Sequence, residues 1–263
     1  MTKKEEANLK RAAKLEAEKE RTNLLKSYER NVKNSFFSMN EHPLICGIDE
    51  AGRGPFAGPV VAGAVILDLD DPEKEILYLN DSKKLSEKKR ELLYHEIFQK
   101  AIAVGVGYAG SVRIDQINIL QATYEAMRQA IANLTAVSHL EENTEDTHEL
   151  VKKLIQYELP EAVHVNRQLH DRIQPDYVLA DAVTIPGIQI PQQGIIKGDA
   201  KSISIAAGSI IAKVTRDHIM YEYDKQYPQY AFASNKGYGT AAHIAAIKEY
   251  GMIDIHRRSF IHL

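Results

Sequence analysis

Two adjacent carboxylates, Asp49 and Glu50, stand where an apolar run, LICGI, meets the loop AGRGPFAGP, which is dense in Gly and Pro. Packing does not call for acids there. Successive strand side chains point to opposite faces, so both acids reach one cation only where the chain bends, and Gly52 and Gly54 supply that freedom. A solvated loop would hold the same pair, so the reading turns on further acids. Asp181 closes the apolar run YVLA, at the kind of strand end where parallel α/β sheets gather function. Asp199, in IKGDAK, precedes a Ser/Ala-rich run and serves equally well as a fourth site acid or as a helix N-cap. Asp217 follows Lys213 by four residues, a spacing for an ion pair within a helix. Carboxylates without His or Cys partners suit hard, oxygen-seeking Mg²⁺ or Mn²⁺, and two such ions suit phosphodiester hydrolysis.

Basic residues near these acids are candidates for phosphate contacts. Lys83 and Lys84 precede a helix start at Ser86, while Ser209, Lys213 and Arg216 recur at helical spacing on one face. His256, Arg257 and Arg258 form a third cluster, for which a surface role is nearly as good an account.

The elements that must position these groups follow from local pattern. LICGID and VVAGAVIL read as strands around the Gly/Pro loop. Ser86 caps a helix through EKKRELLYHEIFQKAI, with Lys89 in place of the acid of a full capping box. AVGVGYAG reads as a short strand, and Ile117, Leu120, Tyr124, Met127 and Ile131 mark one face of a helix. PDYVLADAV is a strand ending near Asp181, IPGIQIPQQGIIKGD is extended, and KSISIAAGSIIAKVTRDHIMYEYDKQY is a long helix whose small residues let it sit close to a sheet. A last helix spans about Thr240 to Tyr250. Strands alternating with helices define an α/β class.

Two segments stand apart. Residues 3 to about 35 alternate Lys, Arg and Glu with Ala and Leu and read as one charged helix, solvated or laid along a phosphate backbone. From 135 to 174 the acidic stretch EENTEDTHE and a helix-like run broken at Pro160 read as an insertion. The division is therefore 1–38, an N-terminal extension, and 39–263, a single main domain carrying the 135–174 insertion.

With 263 residues and a formal charge of −3, nucleic-acid binding must come from local basic clusters and bound cations. Cys46 is the one cysteine, which excludes an intramolecular disulfide and a multi-cysteine zinc site and fits a buried strand position in a reducing compartment. MTKKEEANLK offers no apolar leader, and no run approaches the roughly 20 apolar residues of a membrane span, so the reading is cytoplasmic.

Taken in order, DEAGRGPFAGPVVAGAVIL, NDSKKLS, INILQATYEAM, KGDAKSISIAAGSIIAKVTRD, KGYGT and HRRSF resemble the motifs of the ribonuclease HII family, from about Ile45 to Phe260. The resemblance implies a ribonuclease H-like fold, a central mixed sheet flanked by helices, with a helical C-terminal part. It implies Asp49, Glu50, Asp181 and Asp199 as catalytic, metal-binding acids. It further implies that Gly52, Arg53 and Gly54 meet the ribose 2′-hydroxyl, that Tyr238 packs on the neighbouring sugar, and that Lys83, Lys84, Ser209 and Lys213 lie along the substrate. The substrates so implied are RNA/DNA hybrids and duplex DNA with embedded ribonucleotides, cut 5′ to the ribonucleotide to leave 3′-hydroxyl and 5′-phosphate ends. The protein is expected to act as a monomer. Gly208 stands where Ala is more usual, which either loosens its helix by about 1 kcal/mol or permits closer packing. Ribonuclease HIII, with a glutamate as fourth acid and a larger N-terminal domain, fits Asp199 less well. A transposase of the same fold would lack GRG and GYGT, and a non-catalytic binding module would have no use for four acids that repel phosphate.

Overall fold

A computed structural model describes residues 2–38, 42–137 and 172–263. Strands β1 (Ile45–Ala51), β2 (Val60–Ile66), β3 (Ala103–Ala109) and β4 (Thr135–Ala136) form an antiparallel meander, and β5 (Tyr177–Asp181) and β6 (Gln192–Ile195) add parallel to β1. The order is β4-β3-β2-β1-β5-β6, a mixed sheet as expected. Helices α3 (Glu87–Lys100) and α5 (Ile203–Gln226) cover one face, and α4 (Ser111–Ala132) the other. Short α6 (Phe232–Asn235) and α7 (Ala241–Tyr250) build the C-terminal part with its own apolar cluster around Tyr230, Phe232 and Met220. Ser86 and Thr240 cap α3 and α7 by accepting from the N–H groups of Lys89 and His243.

Strand alternation distributes the core. Cys46 and Ile48 point to the α4 face, which leaves Gly47 and Asp49 toward α5. On that side the helix backbone nearly touches the sheet. A β-carbon on Gly47 would lie 2.0 Å from the Ser204 carbonyl carbon, and one on Gly63 would lie 2.5 Å from the Gly208 oxygen. Gly208 thus serves close packing, the second of its two readings: its own β-carbon would stand 2.7 Å from the Gly63 oxygen.

The face of α4 differs from the pattern of large apolar residues. Met127 and Ile131 are buried, but Leu120 is exposed and Tyr124 half-buried, while Ala122, Ala126 and Ala130 make the contact. The reason lies in β3, where Gly105 and Gly107 let the helix backbone approach so far that only small residues fit between. At Asn118 the helix kinks, φ being 67°, and the Asn118 side chain accepts from the N–H groups of Leu120 and Gln121 to start the second segment.

The expected single N-terminal helix is two, α1 (Lys3–Leu25) and α2 (Ser27–Phe36). Leu9 and Leu15 are exposed, so α1 is solvated there. Toward the domain, Arg21 donates to the Leu79 carbonyl and Lys26 pairs with Glu75, both at 2.7 Å. In α2, Glu29 is fully buried, accepting from the Ser202 hydroxyl at 2.6 Å and the Ser204 N–H at 3.0 Å, and so caps the start of α5. Nothing in the charged pattern of 3–35 marks Glu29 as the buried acid. Of the 135–174 segment, residues 138–171 lie outside the described residues, and its ends join the sheet edge through β4 and a bridge between Thr135 and Arg172. Among the described residues no helix is long and apolar enough to cross a membrane.

Because the Gly47 contact is backbone against backbone, no side chain can yield to make room. Gly47→Ala is expected to destabilise the fold by about 3 kcal/mol, the upper range for overpacking, as read from the urea unfolding midpoint; an unchanged midpoint would show that α5 can slide on the sheet.

Candidate active site

Residue pairing between β1 and β5 runs through Ile48 and Ala180, so the next residues, Asp49 and Asp181, emerge side by side at the ends of parallel strands and on the α5 face. The turn Gly198–Ala200, leading into α5, carries Asp199 to the same point. One carboxylate oxygen from each of Asp49, Asp181 and Asp199 falls within 4.8 Å of the others. Asp199 is not the helix cap, since Ser202 fills that position. Backbone donors hold the group in place: the Glu50 N–H reaches Asp49 Oδ1 at 2.7 Å and the Gly198 N–H reaches Asp181 Oδ1 at 2.6 Å.

Glu50 stands next to this group, near enough for its charge to act on Asp49 and Asp181. Its carboxylate pairs with Arg53 at 3.3 Å and stands outside the group of three. Asp81, which carries no signal of its own in the sequence beyond its place in NDSKKLS, lies against Asp199. Of the lysines, Lys83 sits close enough to bear on both Glu50 and Asp199, while Lys84 pairs loosely with Asp81 at 3.7 Å. Ser209 is buried, its hydroxyl 2.8 Å from that of Ser82 and beside Asp49, so it serves the site from beneath. Lys213 pairs with Asp217 at 2.6 Å, the spacing-based expectation.

Burial and the neighbouring acids Glu50 and Asp181 push the Asp49 carboxyl well above its ordinary range. Burial raises Glu50 too, against the pull of Arg53, and burial with Asp81 and Asp181 raises Asp199. Like charges gathered out of water demand a counter-ion. Every donor in the group of three is a carboxylate oxygen, a set that fits a hard divalent cation.

Two of the basic residues read as phosphate contacts have another place. Arg216 and Arg257 are buried, and among the described residues neither has a carboxylate within salt-bridge distance. Arg216 donates to the carbonyls of Pro59 (2.9 Å), Ala57 (3.1 Å) and Lys236 (3.0 Å), and Arg257 to those of Gly58 (2.9 Å), Arg53 (3.0 Å) and Gly52 (2.6 Å). Burial pulls Arg257 down to about 9 and Arg216 to about 10, so both remain charged at neutral pH. They are internal braces of the Gly52–Pro59 loop and cannot reach a phosphate. Pattern alone could not separate them from exposed Arg258. His256 is buried as well.

Gly52 adopts φ +95°, and a β-carbon there would meet the Arg216 Nε at 2.1 Å. The loop it opens faces Tyr238: a β-carbon on Gly54 would stand 3.7 Å from the Tyr238 ring, which is 49% exposed. The Gly237 carbonyl accepts from the N–H groups of Phe56 and Ala57, tying the two loops together. The carboxylate group lies at the ends of the central strands β1 and β5, and the glycine-lined loop that follows β1 meets the open aromatic face of Tyr238.

Carboxylates at adjoining parallel strand ends, beside a helix pressed to a mixed sheet, mark a ribonuclease H-like fold with an acid group suited to a hard divalent cation. Residues 46–156 and 133–263 match the family model described as Ribonuclease HII. The chain is 53% identical over 251 residues to the ribonuclease HII of Lachnoclostridium phytofermentans, covering 95% of this chain and 80% of that one. To the ribonuclease HII of Bacillus subtilis it is 46% identical over 253 residues, covering 96% and 81%. Its fold resembles that of ribonuclease H2 from Pyrococcus horikoshii, with a TM-score of 0.57 and 24% identity over 82% of this chain and 92% of that one. The chain belongs to the ribonuclease HII family and is a hydrolytic endonuclease of the ribonuclease H type.

The acid group sets a pH dependence with a definite sign. Because the native Asp49 binds its proton more tightly than an unfolded aspartate near 3.8, its contribution to stability is complete below that value and is lost as pH rises through the raised one. In the cation-free protein, Asp49→Asn is therefore expected to be more stable than the wild type at pH 8, with the gap closing on acidification. Urea unfolding in a chelator at several pH values measures it; a mutant less stable than wild type throughout would contradict the buried-charge account.

Proposed function

We propose that Asp49, Asp181 and Asp199, joined by Glu50 once it leaves Arg53, hold two Mg²⁺ or Mn²⁺ ions at turnover. The reaction is hydrolysis of the RNA strand of RNA/DNA hybrids and nicking of duplex DNA 5′ to an embedded ribonucleotide, leaving 3′-hydroxyl and 5′-phosphate ends. The observation that carries this reading is the group of three carboxylates, one oxygen of each within 4.8 Å of the others. Bound cations there would supply charge neutralisation at the scissile phosphate and activation of water.

The protein's own residues do the selecting. The Gly52, Arg53 and Gly54 backbone approaches a ribose closely enough to bond its 2′-hydroxyl, the one group that separates the two sugars. Tyr238 offers its exposed ring to the next sugar, where a second 2′-hydroxyl would obstruct the apolar contact. A single ribonucleotide then suffices. Lys83 and Lys84 stand beside the acid group and steer phosphates toward it, Lys213, paired with Asp217, contacts the substrate backbone further along α5, and Ser209 keeps Asp49 oriented from below. We read 1–38 as an extension packed on a 39–263 catalytic domain, and the protein as a cytoplasmic monomer.

The deciding experiment is cleavage of an end-labelled DNA duplex carrying one ribonucleotide. Chelation is expected to abolish cutting, and Asp49→Asn or Asp181→Asn to lower turnover by about a thousandfold or more while leaving duplex affinity largely intact. Asp217→Asn, which breaks only its pairs with Lys213 and Arg90, should cost far less. Robust cutting in chelator would remove the metal reading, and a wild type that ignores a single ribonucleotide would remove the sugar-reading one.

A further inference from the structure

Beside the open ring of Tyr238 lies a pair of histidines that no step above employs. His243, in the first turn of α7, and His256, in the C-terminal segment, are both fully buried, with Nε2 facing Nε2 at 3.1 Å. Their outer nitrogens end on backbone: the Ile253 N–H donates to His256 Nδ1 at 2.9 Å, and His243 Nδ1 lies 2.9 Å from the Tyr238 carbonyl. These ends settle the protons. An N–H can only donate, so His256 Nδ1 is bare and its proton is on Nε2. A carbonyl can only accept, so His243 carries its proton on Nδ1 and offers a bare Nε2 to His256. The result is one directed chain, Ile253 N–H to His256, His256 to His243, and His243 to Tyr238. Burial, aided by the neighbouring His243, pulls His256 down to about 4, and burial pulls His243 down as well, so both rings are neutral at working pH and the direction is stable.

The far end of this chain is fastened to the other loop. His256 bridges Ala57, the Gly58 N–H donates to the Ile255 carbonyl at 2.8 Å, and the Arg257 N–H donates to that of Phe56 at 2.7 Å. Tyr238 is also held by its own turn, its N–H donating to Asn235 at 2.9 Å and its carbonyl accepting from the Thr240 N–H at 2.8 Å. A backbone pinned at every polar atom beneath an exposed ring is the arrangement of a fixed stacking platform rather than of an adaptable surface tyrosine.

We propose that His243 and His256 are positioning residues for ribonucleotide recognition: their hydrogen-bonded relay sets the height of Tyr238 over the Gly52–Gly54 loop and so controls selection of a single ribonucleotide. This rests on the reading of that loop and Tyr238 as the sugar reader. Neither histidine touches substrate or the carboxylates. Their effect passes through the Tyr238 backbone, where a displacement well under the length of a bond already spoils a stacking and hydrogen-bonding geometry that must be met at once.

The test is a double-mutant cycle on the duplex with one ribonucleotide, reading kcat and KM separately, the half-saturating Mg²⁺ concentration and the thermal midpoint. His243→Leu is expected to lose about tenfold in kcat/KM, with the Mg²⁺ dependence of the remaining activity unchanged. Combined with Tyr238→Ala it should do no further harm, because the platform it positions is already gone. His243→Asn, whose amide N–H can still reach the Tyr238 carbonyl but which leaves the His256 Nε2–H without its acceptor, should recover part of the loss. His256→Asn keeps an acceptor for the Ile253 N–H but loses the donor to His243, and it should show the same non-additivity. If His243→Leu does not fold, the His256→Asn cycle decides alone. Losses that multiply in the double mutants, or wild-type cleavage by both His243→Leu and His256→Asn, would overturn the proposal while leaving the sugar reader standing. Wild-type cleavage by Tyr238→Ala alone would remove the reader itself, and the relay with it.

Discussion

Helix α5 lies on the sheet with almost no side-chain layer between them, and the arrangement of the site depends on that contact. Gly47 and Gly63 on the strands and Gly208 on the helix leave backbone against backbone. At such a distance, residues that would otherwise be a layer apart become neighbours. The turn entering α5 delivers Asp199 to the ends of β1 and β5, Ser209 comes to lie beside Asp49, and about two turns further Arg216 reaches beneath the Gly52–Pro59 loop. The same approach explains why Glu29 of α2 is buried: the α5 N-terminus is pressed so far inward that its first N–H groups need an acceptor from the protein.

Two kinds of buried charge meet across this helix, and they are treated oppositely. Arg216 and Arg257 lie out of water, with no carboxylate among the described residues within salt-bridge distance, yet six backbone carbonyls accept hydrogen bonds from them, so each charge is solvated by fixed dipoles. Those dipoles belong to the loops that carry Gly52, Gly54 and Tyr238, and satisfying the arginines fixes the loops. The acids at the strand ends are left under-compensated: one backbone N–H reaches Asp49 and one reaches Asp181, and burial among like charges makes Asp49 and Asp199 hold their protons more tightly. A structure built for stability alone would have placed an arginine among them. Leaving the group anionic keeps it ready for cations, at the cost of strain in their absence.

Much of this was legible in the residues. The strand ends at Asp49 and Asp181, the Gly-rich loop, the long small-residue helix, the Ser86 and Thr240 starts and the Lys213–Asp217 pair all follow from patterns of near neighbours, and the structure has each of them. These features depend on alternation, capping and i to i+4 spacing, which are properties of a local stretch of chain. The order of the motifs also identified the family, because a family signature is itself a linear pattern.

What the chain could not declare by itself was which polar groups would meet at long range. His256 and Arg257 belong to a basic cluster in sequence and to the interior in space, because Arg257 finds the carbonyls of Gly52 and Arg53 some two hundred residues away. Arg216 shares a helical spacing with Lys213 but points beneath a loop whose position depends on sheet and helix together. Glu50 follows Asp49 by one residue and yet stands at the margin of the carboxylate group, where it pairs with Arg53. The face of α4 went to alanines over larger neighbours because two glycines on β3 lie opposite. Local pattern determined the elements and the acids at their ends; the tertiary structure decided which charges are spent on holding loops and which remain free for cations, because burial and partnership are properties of the assembled surfaces and of no single stretch of chain.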